Sequence, residues 1–210
     1  MKYPKMEWGR MEAIVNKLGG EHGIDRFLAN EFVLLDLAKA KKGAKVSVPL
    51  FTFAGRFHAP GAKEFVSAKA YVVDTSERAR VRISYLGNNF KKHLLPTIER
   101  DIAPSDLTLS KLTRGQKDLP LSDDEPGTIA GLGGTTKAVT SACEFFETLA
   151  HKQAVGNLTW TAGYVLVKDN DGNSVLWALR ASWLDAGWRV GAFSPSGPDS
   201  WHAGRAFVSR

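Results

Sequence analysis

The sequence predicts an α+β protein. A helical hairpin precedes an antiparallel sheet, and a late helix packs on a C-terminal β-meander rich in tryptophan. Apolar residues recur at helical spacing near the N-terminus and again over residues 136–152, whereas the remaining segments alternate apolar and polar side chains in short runs bounded by turn residues. A chain of 210 residues, 43% of them hydrophobic and 24% charged, is long and apolar enough to bury a core.

The first 37 residues predict a helical hairpin followed by a strand. Apolar residues at spacings of three, four and seven give residues 7–18 one apolar helix face, and Gly19 and Gly20 end that helix. A second, short helix carries its apolar side chains within residues 24–28. The run 31–37 is short, apolar and branched, so we interpret it as a buried strand.

Three strand patterns follow in the middle of the chain. Residues 46–57 have apolar side chains at both parities, which predicts a strand covered on both sides. Residues 64–74 predict a second strand, and residues 78–86 alternate so regularly that we expect a half-buried antiparallel strand with arginines on one face. A helical turn at 90–95 and a strand at 107–112 complete this region.

Residues 114–134 combine glycine, proline, aspartate and serine with little apolar periodicity, and we interpret them as an exposed linker or loop. Thr135 or Thr136 is then expected to cap a helix that runs to about Lys152. The chain therefore divides into a helical hairpin with basic strands (1–113), the linker (114–134) and a helix with a meander (135–210), which together make one compact unit.

The last fifty residues predict a β-meander. Residues 169–173 and 184–187 have the composition of hairpin turns. The second turn sets Trp183 about opposite Trp188, which predicts a cross-strand aromatic pair. The expected strands are residues 160–168, 174–183, 188–194 and 205–209.

Positive charge is concentrated in the first half of the chain. The formal net charge is +6, and residues 1–100 carry 18 basic and 10 acidic side chains. Arginines at alternate positions of the predicted strand 78–86 would leave one face roughly 6.6–6.8 Å apart, a spacing that could bridge successive phosphates. The alternative is a solvated sheet face whose arginines pair with carboxylates. The candidate residues for contact with nucleic acid are Arg78, Arg80, Arg82, Lys91, Lys92, Lys41 and Lys42.

Tryptophan is concentrated at the other end, since five of the six tryptophans lie in the last 51 residues. Exposed indoles there could stack on bases, sugars or a peptide, with Trp183, Trp188 and Trp201 as the candidate surface residues. The alternative is a compact aromatic core beneath the late helix, because aliphatic residues are interleaved with the indoles.

Other motifs predict no chemical site. Residues 131–137 precede a helix but have neither the Walker spacing nor the dinucleotide fingerprint, and the turn at 169–172 lacks the later ligands of a calcium loop. The five histidines have no metal-ligand spacing, so we expect neither a metal nor a cofactor. Cys143 could pair with a distant histidine as a nucleophile, but its place beside an apolar helix face predicts a buried, inert thiol.

Several short segments match sequence motifs of one protein family, and they follow each other along the chain in the expected order. They are residues 17–28 (KLGGEHGIDRFL), 93–99 (HLLPTIE), the Gly187-Trp188 pair, and 201–210 (WHAGRAFVSR). With these segments the chain resembles a widespread family of uncharacterised bacterial proteins. The resemblance implies no activity, cofactor or catalytic residue, because none is established for that family.

The sequence favours a non-enzymatic binding protein whose partner is a polyanion such as the backbone of RNA or DNA. One alternative is a protein-interaction or structural module that uses the aromatic meander, and another is an enzyme of unknown class. No apolar run reaches the ~18 residues that span a bilayer, and a lone cysteine is typical of reducing compartments. We therefore expect a cytoplasmic protein without a membrane partner.

Overall fold

A mixed sheet organises the chain. The computed structural model describes residues 49–114, 116–117, 127–169, 171–195 and 200–210. The predicted helical hairpin, the predicted strand at 31–37, and Lys41 and Lys42 lie outside these residues. The fold class is α+β, as the sequence predicts, and it has more strand than helix. The predicted antiparallel sheet is wrong in part, because the main sheet contains parallel as well as antiparallel strand pairs.

Most of the described strands belong to one sheet. Its order is β1-β5-β12-β8-β9-β10-β3, and β7 pairs with a further part of β8. Two small sheets pair β2 with β4 and β6 with β11. The strands are β1 (Phe51–Ala59), β2 (Ala62–Val66), β3 (Ile83–Leu86), β4 (Ile98–Ile102), β5 (Ser105–Leu112), β6 (Gln116–Lys117), β7 (Val139–Thr140), β8 (Thr161–Lys168), β9 (Ser174–Leu184), β10 (Gly187–Phe193), β11 (Ser200–Trp201) and β12 (Ala206–Ser209).

Helices are few and mostly short. They are α1 (Ser67–Ala70), a π-helical turn (Phe90–Leu94), α2 (Gly127–Gly131), α3 (Thr135–Ala138) and α4 (Ala142–Ala154). The π-helical turn confirms the helical turn predicted at 90–95. None of these helices is long and apolar enough to cross a membrane.

The late helix starts later than the sequence pattern predicts. A cap at Thr135 or Thr136 is wrong for the long helix, because β7 pairs with β8 before α4 begins. Ser141 caps α4 instead: the Glu144 amide donates to Ser141 Oγ at 3.0 Å, and the Ser141 amide donates to Glu144 Oε2 at 2.7 Å. This reciprocal capping box satisfies two amide groups at the helix start.

The predicted strand at 78–86 is confirmed only at β3, and β3 pairs in parallel with β10 rather than antiparallel. Residues 78–82 form turns and bends instead. The Gln153 side chain on α4 holds this segment: the Arg82 amide donates to Gln153 Oε1 at 2.8 Å, and Gln153 Nε2 donates to the Arg80 carbonyl at 3.4 Å. The three arginines at 78, 80 and 82 therefore do not share a strand face.

Two more predicted elements differ. The predicted strand 64–74 ends at Val66, because α1 follows; there the Ser67 amide donates to the Thr97 carbonyl at 3.1 Å. The predicted linker 114–134 contains α2, where Ile129 is buried, and Leu132 just after α2 is buried as well. Apolar side chains that reach the core in these segments override the local turn composition.

The first face of the main sheet is covered by α4. Phe145 and Leu149 of α4 belong to one apolar core with Val165 and Leu179 of the sheet. The helix packs closely because position 163 is glycine: a Cβ there would lie 2.7 Å from Val208 Cγ1 and 3.0 Å from the Phe145 ring. The late helix thus packs on the meander. The larger of the two described apolar cores lies on this face of the sheet.

The second face is covered over β8 and β12 by α2 and α3. Ile129 and Ala138 from these helices share a core with Tyr164 and Phe207 of the sheet. The meander strands themselves match the predicted ranges to within one residue at each end. Trp183 and Trp188 lie directly opposite each other with ring centroids 5.4 Å apart, which confirms the predicted cross-strand pair.

Candidate nucleic-acid interface

A cavity of about 360 Å³ opens on the second face of the sheet, over β9, β10 and residues 85–89. Strand alternation explains its chemistry. Leu179 and Ala181 of β9 point into the first-face core, so Arg180 and Ser182 point to the second face. The register places Ser182 opposite Arg189 of β10, which brings the polar side chains of both strands together.

Guanidinium groups lie on aromatic rings in this cavity. Arg180 Cζ is 3.5 Å from the centroid of the Phe193 ring, and Arg189 Cζ is 5.0 Å from that of Tyr85. Such contacts contribute about 0.5–1 kcal/mol each at exposed sites and fix the orientation of the guanidinium plane. We call the group the arginine–aromatic face: Tyr85, Trp160, Arg180, Ser182, Arg189 and Phe193.

More cations border the arginine–aromatic face. Arg205 Cζ lies 3.8 Å from the centroid of the Trp160 ring, and Lys91 Nζ lies 5.8 Å from that of Tyr85. None of the described residues that line the cavity is acidic. Cations and planar rings therefore alternate across one open surface.

Two glycines shape the floor of the cavity. A Cβ at Gly191 would lie 2.9 Å from Cε2 of Phe193, and a Cβ at Gly87 would lie 3.4 Å from the Cα of Gly191. The absence of side chains lets the backbone at Gly87 approach β10 closely. The exposed amide side chains of Asn88 and Asn89 follow directly and line the same cavity.

The fold gives different surroundings to the three arginines of the predicted row, Arg78, Arg80 and Arg82. Arg80 Nη2 donates to Glu147 Oε2 at 2.6 Å, and the Glu147 side chain is only 9% exposed. Burial raises the pKa of Glu147, while the neighbouring Arg80 opposes that rise. Arg82 Cζ lies 5.1 Å from the centroid of the Trp183 ring, and Arg78 is exposed. Arg80 thus follows the alternative interpretation, in which an arginine pairs with a carboxylate.

The predicted lysines lie in two places. Lys91 and Lys92 are both exposed on the π-helical turn. Only Lys91 borders the arginine–aromatic face, whereas Lys92 lines another cavity of about 550 Å³ together with His93. The imidazole of His93 stacks on Trp177 with ring centroids 4.5 Å apart.

The predicted aromatic surface is wrong for two of its three residues. Trp188 is fully buried in the first-face core and Trp201 is 5% exposed in the second-face core, because both stand among apolar neighbours of the sheet. Trp183 is partly buried and packs against both Trp188 and Arg82. The indoles act mainly as core residues.

Carboxylates near the start of α4 are bound within the protein. Glu99 accepts hydrogen bonds from the Ala142 and Cys143 amides at 2.8 and 2.9 Å, yet its burial raises its pKa. Glu144 is buried too, but hydrogen bonds from Arg210 and Ser105 outweigh the burial and lower its pKa. These carboxylates stabilise the start of α4 and are therefore not candidates for ligand contact.

The candidate nucleophile is not activated. Cys143 is 2% exposed, and burial, with the nearby Glu147 and Glu99 carboxylates, raises its pKa to about 12. The thiol is therefore neutral at physiological pH, and only a thiolate attacks efficiently. Across the described ranges, no group of three or more His, Cys, Asp or Glu side chains could hold a metal ion.

Arg180 and Arg189 are not among the candidate residues predicted from the sequence, although the sequence contains a signal for their common face. Each alternates with buried residues on a confidently predicted strand, and the turn at 184–187 fixes the register between the two strands. The pairing of β3 with β10, which brings Tyr85 to Arg189, has no local signal.

The resemblance of residues 17–28 and 201–210 to a family of uncharacterised bacterial proteins stays a prediction. No family model, no curated protein and no solved structure matches this chain.

Proposed function

We propose that this protein binds nucleic acid through the arginine–aromatic face. The observation that carries the proposal is the position of two guanidinium groups over aromatic rings, with Arg180 Cζ 3.5 Å from the Phe193 centroid and Arg189 Cζ 5.0 Å from the Tyr85 centroid, around one open cavity. A guanidinium that lies on a ring keeps its N–H groups at the edge, where they can contact phosphate oxygens in pairs. Its outer plane can stack on a base.

Charge supports the same partner. Lys91 and Arg189 are exposed and border a cavity in whose described lining no residue is acidic. The whole chain has a formal net charge of +6. Positive side chains attract a nucleic-acid backbone by releasing its condensed counterions, independently of sequence.

The site differs from the one that the sequence predicts, while the class of partner is the same. In the predicted row, Arg80 is held by the buried carboxylate of Glu147, which compensates its charge. Arg189 is exposed as Arg80 is, but its described contact is the Tyr85 ring rather than a carboxylate. We therefore assign the polyanion contact to the β9–β10 surface rather than to residues 78–82.

The first experiment measures how salt and one charge reversal change binding. A fluorescein-labelled oligo(dT) strand of about 12 nucleotides falls within the ~4–16 that one small domain covers, and its affinity is followed by anisotropy. Affinity should fall steeply between about 50 and 200 mM salt. Arg189→Glu should weaken binding about tenfold or more and make the salt slope shallower, because one phosphate contact is replaced by repulsion.

Arg78→Glu is the matched control, since Arg78 is an exposed arginine of the row that the sequence favours. It should leave the affinity within about twofold. An affinity that ignores salt, or one that Arg78→Glu lowers as much as Arg189→Glu, would contradict the proposal.

A cytoplasmic location, predicted from the sequence, agrees with this function and stays a prediction. The alternative of a protein-interaction module on exposed indoles loses its main support, because Trp188 and Trp201 are buried. The enzyme alternative loses Cys143 as a nucleophile, because its pKa is raised to about 12. We propose no second function.

A further inference from the structure

We infer that the ligand is a single strand and that one unstacked base enters the cavity beside Arg180 and Arg189. The inference rests on the proposed nucleic-acid function and adds the class of nucleic acid and the mode of contact. It depends on the shape of the cavity, the planar groups in its walls and the small residues in its floor.

The cavity fits a flat ring better than a helix backbone. Its volume of about 360 Å³ lies near the lower end of the ~300–1,000 Å³ typical of small-molecule pockets. A duplex presents phosphates and groove edges, so a base could enter a concave site only after it is flipped out of the stack. A single strand offers its bases without that cost.

The walls of the cavity supply planes for stacking. Arg180 Cζ lies 3.5 Å from the centroid of the Phe193 ring and 5.6 Å from that of the Trp160 indole. Tyr85 is 44% exposed on the opposite side, beside Arg189. Single-stranded binding proteins use such aromatic and guanidinium planes because every base has a π-face.

The floor and rim supply space and polar atoms. Gly191 keeps the floor flat, because a Cβ there would contact the Phe193 ring at 2.9 Å. Asn88, Asn89 and Ser182 line the cavity and present amide and hydroxyl groups that both donate and accept hydrogen bonds. These groups suit the edge of a base, whereas Lys91 and Arg189 at the rim suit the flanking phosphates.

Three probes with the same number of phosphates per strand test this mode. They are the oligo(dT) strand, its duplex with oligo(dA), and a strand in which every nucleotide is replaced by an abasic sugar phosphate. Oligo(dT) should bind about 5- to 100-fold tighter than the abasic strand, since that is the effect of one stacked base. It should also bind tighter than the duplex. Equal affinity for all three probes would overturn the inference.

A cavity-filling variant locates the base. Ser182→Phe places a ring in the cavity, keeps every cation and suits a half-buried strand position. It should remove the preference for oligo(dT) over the abasic strand. Ser174→Phe is the matched control on the same strand, at an exposed position outside the cavity lining, and it should preserve the preference.

The result separates the inference from the function on which it rests. If no probe binds, or if Arg189→Glu has no effect, the proposed function fails. If Arg189→Glu weakens all three probes while Ser182→Phe leaves the oligo(dT) preference intact, the function stands and the base pocket is wrong. Should Ser182→Phe fold poorly by thermal melting, Tyr85→Leu tests the opposite wall, and the oligo(dT) preference should fall.

Discussion

The two faces of the main sheet use charged side chains in different ways. On the α4 face, charged groups have partners inside the protein: Arg80 pairs with Glu147, and Arg210 donates to Glu144. On the opposite face, over β9 and β10, the exposed Arg189 lies over the Tyr85 ring. The difference teaches that the neighbours of an arginine in the fold, rather than its sequence pattern, decide whether it is a candidate for ligand contact.

The difference between the two faces can be tested by measuring stability and binding in variants of each face. Changes on the α4 face should alter the free energy of unfolding and leave binding to oligo(dT) intact. Changes on the arginine–aromatic face should do the reverse. A variant that alters both to a similar degree would break the distinction.

The largest effect on stability is expected at Lys152, whose side chain is fully buried on α4. Its Nζ donates to the Thr159 hydroxyl at 2.8 Å, and burial lowers its pKa from 10.5 to about 8. Below pH 8 the folded protein therefore carries a buried ammonium, at a cost of about 3 kcal/mol relative to the unfolded chain. Lys152→Met should raise the free energy of unfolding at pH 7 by up to that amount.

The contribution of Lys152 to the free energy of unfolding depends on pH. Because the folded pKa is the lower one, the unfolded chain binds more protons between pH 8 and 10.5, and this group makes stability rise with pH across that window. Urea unfolding at pH 7 and pH 9.5 should show the rise in the parent protein and lose it in Lys152→Met. A rise that persists in the variant would contradict the assignment. Cys143, whose pKa is raised from 9.0 to about 12, opposes this rise from about pH 9, and Tyr71, whose pKa is raised by burial, opposes it above pH 10, in both proteins.

An intermediate effect is expected at the Arg80–Glu147 pair. Arg80→Met leaves the Glu147 carboxylate buried without its cation, so the free energy of unfolding should fall by about 1–3 kcal/mol at pH 7. Without Arg80, burial raises the pKa of Glu147 further, so the loss should shrink as pH falls and the carboxyl becomes protonated.

Arg78→Met is the matched control for that pair, because Arg78 is exposed. Its unfolding free energy should stay within about 0.5 kcal/mol of the parent value. Chemical denaturation of both variants decides the matter, and equal losses would show that Arg80 has no special anchoring role.

The smallest effect is expected at the cap of α4. Ser141→Ala removes the hydroxyl that accepts the Glu144 amide and should cost about 1 kcal/mol of stability. Thermal melting measures this loss, and anisotropy should show unchanged affinity for oligo(dT). Ser141→Asp, which also accepts a hydrogen bond at a helix start, should restore most of the stability; failure to do so would argue against the cap.

Much of the C-terminal half could be predicted from the sequence, because its signals are local. The turn at 184–187 sets the register of its strands, and with it the Trp183–Trp188 pair. The cap of α4 was also readable as Ser141-x-x-Glu144, since this spacing is typical of a capping box. The predicted cap at Thr135 or Thr136 includes Ala138 and Val139 in the helix, because they continue its apolar stripe.

The arginine row shows where local patterns fail. Residues 78–82 alternate like a strand, but Gln153 and Glu147, far along the chain, hold their backbone and Arg80 in place. The candidate site had a partial signal, because the parity of β9 and β10 places Arg180 and Arg189 on one face. Which half of that face stays open depends on α2 and α3, and no local pattern reports their position.

The place of β12 in the sheet has a consequence for the order of folding. β12 joins β5 to β8, and its first residue, Ala206, pairs with Lys111 near the end of β5. During synthesis the β1–β5 strand pair therefore waits roughly 5–20 s for this strand, at ~5–20 residues per second. Until then the β1–β5 pair and the β8–β10 meander are separate parts of the sheet with open edges. Contacts so distant in sequence close slowly, so a nascent chain needs protection of those edges until residues 206–209 emerge.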